Sequence, residues 1–191
     1  NQVFDATSSS AKTVSTLQDQ PFDYVFLDRY RDYRVVYRFQ KLAAMGQLTP
    51  VFENSRATIY RVERDRLDPL AAARIDGESY PYVLITLHLR PGDDPTPIVI
   101  DFSSETITAP LSEWPEAIFA LGDLCFEMQD DAGDVLESRC LVNVQNRRLP
   151  SNEPMIFHTV MPYHAPNTRL VLTVGGAAVA SQPIDAPEAS F

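Results

Sequence analysis

The spacing of apolar residues changes twice between residues 22 and 63, and it predicts a strand, a helix and a hairpin in succession. Residues 22–27 (FDYVFL) are aromatic and branched, and Pro21 and Asp28 bound them, so we predict a buried strand there. Apolar residues then recur at steps of three and four positions, which predicts an amphipathic helix. They are Val35, Phe39, Leu42 and Met45.

Local signals define where this helix begins and ends. Asp32 can accept hydrogen bonds from the free amides of a first turn, and Gly46 adopts a left-handed backbone without steric cost. Two short strands, PVFE and ATIYRV, follow around a turn at Asn54-Ser55. We therefore predict a helix between Asp32 and Gly46, and then a hairpin.

The segments that flank this region are more polar. Ser8–Ser10 offers an N-cap for a short helix that turns Val14 and Leu17 inward. Residues 64–80 hold a charged run that ends at Pro69 and then a glycine, so we predict that they form a linker.

Strand follows strand from residue 82 onward. Short apolar segments recur there at intervals of roughly 8–15 residues, with Pro, Gly and Asp between them, which is typical of a β-sandwich of about seven or eight strands. We predict a mostly β protein, an immunoglobulin-like antiparallel β-sandwich preceded by a small α+β segment. The α+β segment covers residues 1–63, the linker 64–80, the sandwich 81–185 and a frayed tail 186–191.

Cys125 and Cys140 flank the sequence DDAGD, and two hairpin registers are open to them. A four-residue loop sets the cysteines opposite each other and permits a disulfide, in line with the general habit of exported cysteine pairs. A three-residue loop, with Gly133 left-handed in a bulge, opposes Met128 to Leu136 and turns Cys125 outward.

The apolar pattern favours the three-residue loop. The other register sets Phe126 opposite Arg139, which wastes burial worth about 1.5–3 kcal/mol for such a side chain. The three-residue loop has one disadvantage. It sets Glu127 opposite Glu137, and two like charges that face each other across a sheet are modestly destabilising. We therefore expect free thiols, with the disulfide as the alternative.

Composition and charge limit the kinds of partner and the cellular location that we expect for this protein. The net charge is −10 and the sequence pI is about 4.7, so we expect no nucleic acid partner, because phosphate binding draws on clustered Lys and Arg. No apolar run approaches the roughly 20 residues of a spanning helix, so we expect no membrane span. The chain begins at Asn1 and not at Met, which is consistent with a processed mature chain or with a piece of a longer one.

The sequence contains no motif of catalysis, phosphate binding or metal binding. His88, His158 and His164 have no metal-ligand spacing, and we expect structural roles for them. No Gly-x-Ser-x-Gly elbow or glycine-rich phosphate loop is present, and DDAGD lacks the ligand periodicity of a calcium loop. We therefore predict no enzyme, no cofactor and no catalytic or metal-binding residue.

Four aromatic residues are candidates for contact with a partner or a sugar. They are Tyr30, Tyr33, Tyr37 and Trp114. Their rings can stack on sugar rings if they are exposed, and the alternative is that they pack in the core or at its rim.

The region of residues 22–63 resembles the end of the extracytoplasmic domain of bacterial multi-spanning membrane glycosyltransferases that use a polyprenyl-phosphate sugar donor. The resemblance covers about 40 of the 191 residues and rests on DYVF at 23–26, a Tyr- and Arg-rich helix at 33–45, PVFEN at 50–54 and IYRV at 59–62. In that family the acidic residues that carry out transfer lie in loops between membrane helices. The resemblance therefore implies a setting and no catalytic residue here.

Residues 82–185 loosely resemble immunoglobulin-like sandwiches of bacterial surface proteins, through the segments 121–144 and 161–184. We accordingly expect an extracytoplasmic protein, periplasmic or at the cell surface, for which a tether ahead of Asn1 is an option. We expect it to be a non-enzymatic interaction or accessory module of a membrane or cell-surface assembly, with protein partners. The alternatives are the soluble domain of a membrane glycosyltransferase and a carbohydrate-binding module.

Overall fold

The mostly β character predicted from the sequence is confirmed in a computed structural model of the chain. The structure describes residues 4, 8–28, 32–54, 57–90, 98–115, 124–140, 155–164 and 168–187. Within these residues the chain forms three α-helices and ten strands, and the strands make three antiparallel sheets. Two compact units result: residues 1–80 with 109–116, and residues 81–108 with 117–191.

The first unit contains all three helices and the first three strands. In chain order its elements are α1 (Ser10–Asp19), β1 (Tyr24–Asp28), α2 (Tyr33–Ala44), β2 (Leu48–Glu53), β3 (Ala57–Val62) and α3 (Pro69–Gly77). The predicted succession of strand, helix and hairpin is therefore present, and both predicted helices form close to the predicted positions.

The predicted capping residues set the helix boundaries. The Ser9 hydroxyl accepts from the Lys12 amide at 3.1 Å, and the Asp32 carboxylate accepts from the Arg34 amide at 2.9 Å, so each supplies a partner for a free first-turn donor. Gly46 has a φ of +73° just past α2, in the left-handed region that a glycine enters without strain.

The three strands of the first unit form a sheet in the order β1-β3-β2, and α2 packs against one face of it, which we call the inner face. Val25 and Leu27 point to this inner face, as do Tyr60 and Val62, and all four are buried. From α2, Phe39 is fully buried with its ring centroid 5.8 Å from that of Tyr60. Burial of these apolar side chains provides the core of the unit.

Residues 64–80 are structured, which differs from the linker that we predicted. Arg64–Arg66 is a 3₁₀ turn, and α3 begins at Pro69, directly after Asp68, whose carboxylate accepts from two amides of the first turn. Proline is favoured at this position because its missing N–H would lack a helical partner in any case. The Asp76 carboxylate also accepts from the amide and hydroxyl of Ser10, each at 2.7 Å, which fixes α3 to α1.

The described residues of the second unit form two sheets. Its strands are β4 (Ser79–Arg90), β5 (Ile98–Pro110), β6 (Leu124–Gln129), β7 (Val135–Cys140), β8 (Met155–Pro162), β9 (Arg169–Val174) and β10 (Ala177–Pro183). The start of β4 and the end of β5 extend by two residues each into the first unit. One sheet has the order β10-β9-β6-β7 and the other β5-β4-β8. Their apolar faces contribute to one buried cluster, in which Ile85 and Leu87 of β4 join Phe126 of β6 and Leu172 of β9.

The hairpin of β6 and β7 corrects our prediction of free thiols. Cys125 lies opposite Cys140 in the ladder, and the two form a disulfide with an S–S distance of 1.98 Å. The predicted pairing of Met128 with Leu136 is wrong, because Met128 opposes Glu137 and a bulge follows. Gly133 is nevertheless left-handed as predicted, with a φ of +87°.

The prediction failed because it assigned the burial of Phe126 to β7 alone. Phe126 does lie opposite Arg139, yet it is fully buried, since Leu172 flanks it on the other side and the Phe102 ring lies 5.7 Å away. Arg139 is itself buried and pairs with Glu137 at 2.8 Å. The neighbouring strands therefore bury Phe126 in the register that also closes the disulfide.

We expect removal of the disulfide to lower the stability of the second unit. The cystine closes a loop with a sequence separation of 15, and a loop of that size corresponds to about 3 kcal/mol in the chain-entropy account. Urea unfolding of the Cys125→Ser, Cys140→Ser double variant measures this loss. Thiol titration of the denatured, unreduced wild type should find no free thiol, and two free thiols would contradict the assigned pair.

Candidate interaction surface

The face of the first sheet that points away from α2 is rich in exposed aromatic side chains. Along β1 the burial alternates: Val25 and Leu27 are buried, whereas Tyr24 is 59% exposed and Phe26 is 68% exposed. We predicted a buried strand here, and the structure buries only one of its two sides. The two aromatic residues are presented to solvent by the two-residue period of the strand.

The register of the sheet aligns these residues into rows. Phe26 of β1 lies opposite Ile59 of β3, which in turn lies opposite Phe52 of β2, and Phe52 is 50% exposed. The next row joins Tyr24, Arg61 and Thr49. We call the surface formed by Tyr24, Phe26, Phe52 and Ile59 the outer face.

A polar cluster borders the outer face. The Glu63 carboxylate accepts from the Thr49 hydroxyl at 2.6 Å and pairs with the Arg61 guanidinium at 2.8 Å. The hydrogen bond from Thr49 contributes most to a pKa of Glu63 below its ordinary value, and Arg61 lowers this pKa further. The charge of Arg61 is thus paired within the protein, which leaves the aromatic rows as the dominant chemistry of the face.

The outer face is a sizeable exposed apolar patch. Aromatic side chains bury about 150–250 Å² each, so its three half-exposed aromatics present roughly 300–400 Å² of largely apolar surface. This area matches the largest apolar patch on a typical monomer, and such patches are often functional. The outer face is therefore the best-supported candidate site within the described residues.

The structure brings three of the four predicted contact residues together, but in a packed cluster. The Trp114 ring stacks on Tyr33 with centroids 6.0 Å apart and lies 4.9 Å from that of Tyr37. Tyr33 is 0% exposed and Trp114 is 1% exposed, so their ring faces are covered by protein. Tyr33 and Trp114 therefore pack inside the protein, which is the alternative to contact with a partner or a sugar. Tyr30 lies outside the described residues.

A cation and a buried phenol extend this aromatic cluster. The Lys41 ammonium lies 4.4 Å from the ring centroid of Tyr80 and 4.9 Å from that of Tyr37, within range of a cation–π interaction. The Tyr80 hydroxyl donates to Glu78 at 3.1 Å. Burial raises the pKa of Tyr80, and the hydrogen bond to Glu78 and the charge of Glu78 raise it further.

Two histidines share the solvent face of one sheet in the second unit. His88 contacts Asp101 at 2.8 Å, and His158 contacts the Thr86 hydroxyl at 3.1 Å in the directly opposed position of the neighbouring strand. Each imidazole therefore has a partner within the protein. Among the residues that the structure describes, no group of three or more His, Cys, Asp or Glu side chains is arranged to hold a metal ion.

The acidic loop between β6 and β7 is a turn held by hydrogen bonds between the Asp130 side chain and backbone amides of the loop. The Asp130 carboxylate accepts from the amides of Ala132 and Asp134, each at 2.9 Å. These bonds account for the aspartate at the start of the loop, as is usual for such turns.

Sequence reasoning missed Tyr24, Phe26 and Phe52 as candidate contact residues. Apart from Asp23, both sides of the strand predicted at residues 22–27 are apolar, so periodicity alone does not tell a strand buried on two sides from one buried on a single side. The one available signal is that the aromatic residues Tyr24 and Phe26 share one side, while the aliphatic Val25 and Leu27 share the other.

Comparisons with profiles of known protein families, with curated proteins and with solved structures found no match for this chain. Within the described part of the chain, no helix is long and apolar enough to cross a membrane. The longest, α2, has 12 residues. The geometry of the surface therefore carries the functional argument.

We expect substitutions on the outer face to leave stability nearly unchanged. Phe26→Thr and Phe52→Thr keep a good strand former at exposed positions, so the free energy of unfolding should change by about 0.5 kcal/mol or less. The control Phe39→Ala empties a fully buried position and should cost about 3–5 kcal/mol. Urea denaturation measures both, and a large loss in Phe26→Thr would mean that the outer face is packed against protein.

We expect Tyr80 to make the protein less stable in alkali. Its pKa is raised in the folded state, so above about pH 10 the unfolded chain releases this proton and the folded chain retains it, and the free energy of unfolding falls as pH rises. The Tyr80→Phe variant should show a slope between pH 10 and 12 that is shallower by up to about 1.4 kcal/mol per pH unit. Tyr24→Phe, at an exposed position, is the matched control, and equal slopes in all three proteins would contradict the assignment.

Proposed function

We propose that this protein is a non-enzymatic, extracytoplasmic interaction module of a membrane or cell-surface assembly, and that the outer face of its first unit contacts a protein partner. The observation that carries the proposal is the exposure of Phe26 and Phe52 in one row across the sheet. Aromatic side chains are enriched in the cores of protein interfaces.

The disulfide supports the extracytoplasmic part of the proposal. Disulfides persist in oxidising compartments such as the bacterial periplasm and the cell surface, and are rare in the reducing cytosol. The bond between Cys125 and Cys140 joins adjacent strands of the second unit, where it closes the β6–β7 hairpin.

The arrangement of the second unit supports an immunoglobulin-like β-sandwich as its fold. Two antiparallel sheets contribute side chains to a single apolar cluster. Along β4 the inward residues Val83, Ile85, Leu87 and Leu89 alternate with less buried ones, as expected for a strand with one face in a core between two sheets. Folds of this kind are common in cell-surface proteins.

A second candidate is the soluble extracytoplasmic domain of a membrane glycosyltransferase. It is supported by the order of β1, α2, β2 and β3, which is the strand, helix and hairpin that the resemblance of residues 22–63 implies. In that case the outer face would help to shape an acceptor site. Exposed aromatic rings can also stack on sugars, so the experiment must distinguish carbohydrate binding from protein binding.

The test is site-specific photocrosslinking in cells that make the protein. A photoreactive residue at position 26 should crosslink to a distinct protein, whereas one at position 70, where Leu70 is 84% exposed on α3, should not. The purified partner should bind the wild type and lose about tenfold to hundredfold in affinity for Phe26→Thr, because burial of one aromatic side chain is worth about 1.5–3 kcal/mol.

Three results would contradict the proposal. Equal crosslinking from positions 26 and 70 would remove the outer face as the contact surface. Turnover of a glycosyl or peptide substrate by the isolated protein would remove the non-enzymatic role. Binding of a glycan on calorimetric titration, lost in Phe26→Thr, would assign the face to carbohydrate and not to protein.

A further inference from the structure

We propose that the edge of β1 at Tyr24–Phe26 receives an extended segment of the partner protein, which adds to the sheet as a fourth strand beside β1. This inference rests on the proposed function and specifies how the partner is bound. The occupant is a stretch of partner chain with apolar side chains at alternate positions. Such strand addition is a recurrent mode of peptide recognition, in which main-chain hydrogen bonds supply affinity.

The hydrogen-bond pattern of β1 leaves donors and acceptors at its edge. The Val62 amide donates to the Asp23 carbonyl at 2.9 Å, which makes Asp23 a hydrogen-bonded position of the ladder with β3. Because such positions alternate along an antiparallel strand, Val25 follows the same pattern, and the amides and carbonyls of Tyr24 and Phe26 point away from β3. Within the described residues β1 has no neighbouring strand on that side.

The opposite edge of the sheet is protected, which distinguishes the two edges. β2 contains Pro50, which has no amide proton, and its register with β3 shifts between Pro50 and Phe52. A proline and a bulge are two of the devices by which edge strands avoid pairing with other chains. β1 has neither over Tyr24–Asp28, and its ladder with β3 is regular.

The side chains of β1 indicate which residue pattern the added strand should have. Tyr24 and Phe26 project on the outer face, where they are 59% and 68% exposed. An added strand places every second side chain beside these rings, because side chains of adjacent strands share faces in register. Branched or aromatic residues at alternate positions of the occupant therefore complete the aromatic row.

The area of the outer face favours a single strand over a second globular copy of the chain. The face presents roughly 300–400 Å², whereas a stable interface buries about 800 Å² on each partner. The net charge of −10 on each copy also opposes self-association. An extended segment compensates for the small area through backbone hydrogen bonds.

The experiment contrasts two substitutions at one position. Phe26→Thr removes the aromatic ring and keeps the backbone amide that points away from β3, whereas Phe26→Pro removes both. Proline is compatible with an edge strand at this position, because the amide that it removes does not pair with β3. Decapeptides selected from a random displayed library on the wild type are the probes. The inference predicts peptides with alternating apolar residues that bind Phe26→Pro at least about tenfold more weakly than Phe26→Thr.

Hydrogen exchange on the wild type gives a measurement that does not depend on the folding of a variant. A bound peptide should slow exchange of the Tyr24 and Phe26 amides by at least about tenfold, and leave exchange along β2 unchanged. Failure to select any peptide, equal affinity for the two variants, or unaltered exchange at Tyr24 and Phe26 would overturn the inference.

The same variants separate this inference from the proposed function. If the crosslinked partner loses affinity for Phe26→Thr and no more for Phe26→Pro, the outer face remains the contact surface and strand addition is wrong. If neither substitution weakens the partner, the proposed function fails as well. A concentration-dependent dimer of the wild type that Phe26→Pro abolishes would assign the edge to a second copy, which contradicts the occupant proposed here.

Discussion

Packing of α2 against the inner face of the β1-β3-β2 sheet is the contact on which the candidate surface depends. A three-stranded sheet has two faces, and a single helix covers only one of them. Phe39 and Leu42 of α2 are fully buried, together with Val25 and Tyr60 of the sheet. The helix therefore supplies the apolar burial that holds three short strands together, and the other face remains available for contact.

The exposed face of the first sheet differs in amino-acid composition from its buried face, and this difference bears on what the exposed face can contact. The inner side of β1 is aliphatic, whereas its outer side presents Tyr24 and Phe26. Large aromatic side chains exposed on one face cost solubility unless a partner covers them. Within the described residues, Pro50 and a shifted register interrupt β2, whereas β1 contains no proline and its ladder with β3 is regular.

The second unit illustrates how a disulfide and a core constrain one register. Cys125 and Cys140 are opposed, which places Arg139 beside Phe126 on the buried side of the hairpin. The arrangement is tolerated because Glu137 pairs with the Arg139 guanidinium and because β9 completes the burial of Phe126. The burial that two neighbouring strands give each other is thus a poor guide to their register when the sheet has four strands.

The sequence by itself predicted many of the local elements of this protein, although not α3. The period of Val35, Phe39 and Leu42 and the cap at Asp32 predicted α2, and the apolar segments after residue 82 predicted the strands, because these signals act over a few residues. Only the tertiary structure decided which faces are covered. It buried Tyr33 and Trp114, exposed Tyr24 and Phe26, and joined Cys125 to Cys140. The physical reason is that an apolar side chain has the same local signature in a core and on a surface, and only the packing of elements distant in sequence distinguishes the two.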